Sequence, residues 1–89
     1  MEQCTATIRH YGDNLFENLA VRLDDCSTDK NRNHWFGDFT LPPHATIEQR
    51  GVFRLIIQDG REGDILLDTQ SVDSDSPSVI RFHGCSPLV

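Results

Sequence analysis

Residues Val52 to Thr69, VFRLIIQDGREGDILLDT, place two runs of β-favouring apolar residues on either side of a polar turn that contains two glycines. This pattern predicts a β-hairpin, with Asp59-Gly60-Arg61-Glu62-Gly63 supplying glycine where the turn needs positive φ. Setting Ile57 opposite Ile65 puts Leu55 against Leu67 and Phe53 against Thr69 on one face. The other face then pairs Arg54 with Asp68, Ile56 with Leu66 and Gln58 with Asp64. A slip of one residue would exchange the inward and outward sets along one strand and break the charge pair, so this register is the expected one.

The alternation is incomplete, because Leu55-Ile56-Ile57 and Ile65-Leu66-Leu67 are unbroken apolar triplets. Val52, Ile56 and Leu66 therefore form a second apolar strip on the face that should be wet. Cover by a helix, a long loop or another copy of the protein would account for it. Arg54 and Asp68 lie beside the strip as its charged neighbours.

Further strands are expected on both sides of the hairpin. Cys4 to Tyr11 alternates, with Cys4, Ala6, Ile8 and His10 on one side. The segment LFENLAVRLDD fits two patterns: a strand from about Leu19 to Asp24, favoured by its surroundings, or a short helix near residues 14–23 capped by Asp13. The polar loop CSTDKNRN follows, and His34 to Leu41 then alternates with Trp35, Phe39 and Leu41 inward around Gly37, which leaves space for a neighbouring ring or backbone. Pro42-Pro43 ends that strand, and an Asp/Ser turn at 73–78 precedes a last strand from Val79 to Gly84. About six short strands in a chain of 89 residues predict a single all-β domain over 1–89, a small antiparallel barrel or sandwich.

Composition narrows the function classes. The net charge is −6, with seven arginines to one lysine, and the arginines sit among acids such as Asp24, Asp25 and Glu62. A polyanion needs a basic face, so nucleic acid is disfavoured even though Trp35, Phe36, Phe39, Phe53 and Arg54 are the pieces of a stacking platform; Trp35 is expected as a core anchor instead. No apolar run is long enough to span a membrane, and the amino terminus lacks a basic region followed by an apolar one. Together with three widely spaced cysteines, this predicts a cytoplasmic protein without membrane association.

Three constellations could carry chemistry. Cys4 and His10 on the first strand and His83 and Cys85 on the last could converge on zinc if the terminal strands pair, although no short Cys-x2-Cys knuckle is present. Asp73 with Asp75, and Asp24, Asp25 and Asp29, lack the glycine and distal glutamate of a calcium loop and read as turn residues. His34, His44 or His83 could act as a base for Cys26 or Cys85, but no spacing selects a pair and no phosphate-cradling loop occurs. The expectation is thus a protein-interaction or self-association module without catalysis or cofactor, using Val52, Arg54, Ile56, Leu66 and Asp68. The alternative is metal or small-ligand binding through Cys4, His10, His83 and Cys85.

Overall fold

A computed structural model describes residues 2–26, 28, 30, 32–42, 45, 47, 50–68 and 78–89. Its six strands are β1 (Glu2–His10), β2 (Asp13–Asp25), β3 (Trp35–Leu41), β4 (Val52–Ile57), β5 (Glu62–Leu67) and β6 (Ser78–Gly84). All neighbours are antiparallel, and the sheet closes in the order β1-β2-β3-β6-β5-β4. The fold is an all-β barrel. Residues 73–77 of the expected turn lie outside the described residues, and Ser78 already belongs to β6.

Alternation dictates which residues fill the barrel. Ala6 and Ile8 from β1, Val21 and Leu23 from β2, Trp35, Phe39 and Leu41 from β3, and Phe53, Leu55, Ile57, Ile65, Ile80 and Phe82 are all buried. Phe82 stands at the centre of the aromatic cluster, edge to face with Trp35 at a centroid distance of 6.2 Å and stacked on Phe39 at 6.0 Å. Gly37 leaves room for that ring: a β-carbon there would sit 2.8 Å from Phe82 Cζ and collide with the Arg22 carbonyl. β3 and β4 are on opposite sides of the barrel, and the connection between them inserts Ile47 into the core.

The alternative helix at residues 14–23 does not form, since β2 runs unbroken from Asp13 to Asp25. Its helical look comes from bulges. Between Ala6↔Leu19 and Ile8↔Phe16 the first strand advances two residues and the second three; from Ile8↔Phe16 to Arg9↔Asn14 the advance is one against two. Each extra residue shifts the in/out phase, so Leu15, Phe16 and Leu19 all reach the core despite spacings that suit a helix. Asn18, at φ 57, takes the left-handed conformation that asparagine tolerates.

The β4–β5 hairpin keeps the expected faces but not the expected register. Phe53 lies opposite Ile65, Arg54 opposite Asp64, Leu55 opposite Gly63 and Ile56 opposite Glu62. The loop has only three residues, Gln58-Asp59-Gly60, closed by Ile57 N–H donating to Arg61 O at 2.8 Å and Gly60 N–H to Ile57 O at 2.9 Å. Gly60, at φ +105, supplies the positive φ. Compared with a loop over Asp59 to Gly63, this tighter closure adds cross-strand pairs and brings Arg54 within 2.8 Å of Glu62 and 2.9 Å of Asp64. Asp68 is not its partner.

Candidate functional site

The five predicted surface residues all lie on the outside of the barrel, but not as one strip. Val52 faces Leu66 directly across β4 and β5, whereas Ile56 faces Glu62 and, on its other side, Thr7 of β1. Between Val52 and Ile56 stands Arg54, bridged to Glu62 and Asp64. The expected contact of Ile56 with Leu66 is therefore replaced by two separate apolar spots. Ile56 is half-buried in a shallow groove shared with Thr7, Asn18 and Gln58.

The Val52–Leu66 spot continues in a direction that the hairpin alone could not reveal. Leu66 pairs with His83 of β6, and His83 with Phe36 of β3, so one outward row reads Val52, Leu66, His83, Phe36 across four strands. Val52 is 41% exposed and Phe36 38%, large values for apolar side chains in a sheet. A signal for Phe36 existed: placing Trp35 inward forces its neighbour outward. His83, by sequence a candidate metal ligand or base, instead holds its Nδ1 2.5 Å from Asp68 Oδ1.

A charged row runs beside the apolar one. Asp68 N–H donates to Arg81 O, Asp38 pairs with Arg81, and Arg22 pairs with Asp38. Arg22 binds Asp38 through Nε at 2.9 Å and Nη2 at 2.6 Å, and Asp38 is only 8% exposed. Bidentate geometry makes this the best-formed ion pair of the described surface. The Asp38 hydrogen bond and charge raise the Arg22 pKa. Arg22 thus finds its carboxylate across the sheet rather than in adjacent Asp24 or Asp25. Arg54 is similarly raised by its hydrogen bonds to Asp64 and Glu62. Arg61 reaches Asp59 and Glu2 rather than Glu62.

The metal constellation rested on pairing of the terminal strands, and that premise fails. β1 pairs with β2 and β4, β6 with β3 and β5, which puts the two strands on opposite sides of the barrel. His10 turns its Nε2 to the Arg50 carbonyl and its ring to Phe53, while His83 pairs with Asp68. No group of three or more His, Cys, Asp or Glu side chains able to hold a metal occurs among the described residues. Asp29, Asp73, Asp75 and His44 lie outside them. Trp35, Phe39 and Phe53 are in the core, so they form no stacking platform.

Cys4, Cys26 and Cys85 are free thiols. Each has a raised pKa: burial is the main cause for Cys4 and Cys85, and for Cys26 a hydrogen bond to Asp24, to which its Sγ donates at 3.2 Å. A raised pKa means less thiolate at a given pH. Reaction with a disulfide reagent at about neutral pH should therefore be slower for all three in the folded protein than in urea, with rates climbing as the pH passes the ordinary thiol range. Folded thiols reacting as fast as unfolded ones would contradict this.

Among the described residues no helix is long and apolar enough to cross a membrane. Compared with protein-family models, curated proteins and solved structures, the chain matches none.

Proposed function

We propose that this protein is a non-catalytic interaction module whose outer surface around Leu66 on β5 docks on another protein. The outward row Val52, Leu66, His83, Phe36, which wraps around the barrel from β4 to β3, carries this reading, because it keeps apolar side chains in contact with water. Arg54, Glu62 and Asp64 on one side, and Asp68 and Arg81 on the other, supply the polar rim that such surfaces commonly carry. A standard interface of about 800 Å² per partner would take roughly 15% of the 5401 Å² surface. We assign the module to the cytoplasm, where a reducing milieu would preserve the three unpaired thiols.

Affinity recovery of the tagged protein from its host, with mass spectrometry of what accompanies it, tests the reading. Leu66→Asp should abolish recovery of the partner by placing an unpaired carboxylate in the contact, while the thermal midpoint moves by only a few degrees, since Leu66 contributes little to the core. Ile56→Asp, on the far side of the Arg54 cluster, should weaken recovery less. If Leu66→Asp keeps every partner of the wild type, the face is not the docking surface.

A further inference from the structure

We propose that residues 85–89 are a displaceable strap over a strand-addition site on β5, and that this site takes an extended peptide segment of another protein, paired antiparallel with residues 62–64. The site is separate from the docking surface around Leu66, which lies towards the other end of β5. β6 pairs with β5 at Ile65, Leu66 and Leu67. Over residues 62–64 the strap takes the backbone groups that β5 turns away from β4. Cys85 N–H donates to Asp64 O at 2.9 Å, Asp64 N–H donates to the Ser86 hydroxyl at 2.8 Å, and Glu62 and Val89 exchange N–H to O bonds at 2.8 and 3.1 Å.

The strap occupies the edge without pairing as a strand. Continuing the register in which Ile65 faces Gly84 would set Asp64 opposite Cys85 and Glu62 opposite Pro87. The Cys85 to Asp64 bond is made, and in an antiparallel ladder the next pair that exchanges bonds is two residues on. That pair is Glu62 with Pro87, and proline has no N–H for the Glu62 carbonyl. The chain therefore arches through exposed Pro87 and delivers Val89 instead, so that β5 advances two residues, from 64 to 62, while the strap advances four, from 85 to 89. A serine hydroxyl stands in for the backbone carbonyl that a regular strand would offer Asp64 N–H. Val89 is held by its backbone, since the residue is 72% exposed.

Beneath the strap the barrel is shaped for a backbone passing close by. A β-carbon on Gly63 would sit 3.1 Å from the Pro87 carbonyl oxygen, so glycine there admits the strap. Leu88 packs on the core beside it. A segment with any residue but proline opposite Glu62 can complete the ladder that the strap leaves irregular, with an apolar side chain in the seat of Leu88. Main-chain bonds then supply affinity and the apolar seat supplies selectivity, as in other cases of strand addition.

The test uses the full chain and labelled, acetylated and amidated peptides, with binding read by fluorescence anisotropy. One peptide is Ser-Ser-Ala-Leu-Val, the strap's own sequence with serine for cysteine and alanine for proline; a second keeps the proline. Leu88→Asp unseats the strap while leaving β5 intact. It should bind the alanine peptide about tenfold more tightly than the wild type, with emission of Trp35, the single tryptophan, moving to the red. Pro87→Ala gives the strap its missing N–H and should weaken peptide binding about fivefold. The proline peptide should bind every form about fivefold more weakly than the alanine peptide.

Equal affinity of Pro87→Ala and the wild type for the alanine peptide overturns the proposal, and so does a folded Leu88→Asp that binds no more tightly than the wild type. Absence of binding by both the wild type and Pro87→Ala at about 1 mM also overturns it. Pro87→Ala keeps the test decisive if Leu88→Asp does not fold, because it adds a hydrogen bond and removes no buried contact. Leu66→Asp should bind the peptide as the wild type does. Loss of peptide binding there would place the peptide around Leu66 and overturn the strap site, whereas intact peptide binding with an unchanged set of host partners removes only the docking surface around Leu66.

Discussion

Gly84→Val should leave little or no folded protein, with a loss of at least about 3 kcal/mol from overpacking. A β-carbon at Gly84 would fall inside the Trp35 indole, too close to Cε2, Nε1 and Cδ2 for any real contact. The ring has no room to retreat. Its Nε1 donates to the Ser86 carbonyl at 2.8 Å, its edge packs on Phe82, and on β5 Gly63 leaves another gap that a β-carbon would close to 2.7 Å from Cζ2. Close-packed interiors transmit such a collision to the backbone, so either β6 separates from β5 or the tryptophan leaves its pocket. Urea titration followed by tryptophan fluorescence would measure the effect. Gly84→Val combined with Trp35→Leu should recover part of the loss; a stable single variant with native emission would show that the seam is looser than its geometry implies.

Phe82→Ala is the second large effect, expected to cost about 4 kcal/mol. Phe82 is buried against both Trp35 and Phe39 and fills the space that Gly37 leaves on β3, so truncation opens a cavity bounded by rings and sheet backbone that cannot collapse into it. A domain of 89 residues has a total stability of roughly 4–13 kcal/mol, so this one change would consume about a third of it or more. The urea midpoint should fall accordingly with an unchanged slope. Leu66→Ala, on the outside, should cost less than about 1 kcal/mol by the same measurement, because its side chain is only half-buried. Equal losses at the two positions would mean that Leu66 belongs to the core and not to a docking face.

The contrast between these sites shows how far the candidate surface is legible in the sequence. Val52 and Leu66 break the wet-face alternation of their own strands and can be selected from one hairpin. Phe36 and His83 complete the same row, yet they come from strands whose neighbours are fixed only when the barrel closes. Ile56 shares a face with Leu66, which groups the two by pattern, but the register that the turn imposes separates them.

Sequence by itself determined the strands and their faces. Side chains alternate with period two, so the inward set Phe53, Leu55, Ile57 and Ile65 follows from hydrophobicity alone and survives any even shift of register. For the same reason alternation could not distinguish the expected pairing of Arg54 with Asp68 from the observed one with Asp64; closure of a three-residue loop on Gly60 and the two carboxylates around Arg54 decided that. Bulges in β2 were hidden because each inserted residue resets the phase and imitates helical spacing. The order of strands around the barrel was beyond local pattern entirely. It depends on which pairings let one sheet close around Trp35 and Phe82, and that closure set β1 opposite β6, dispersed the Cys and His residues, and lined up Val52, Leu66, His83 and Phe36.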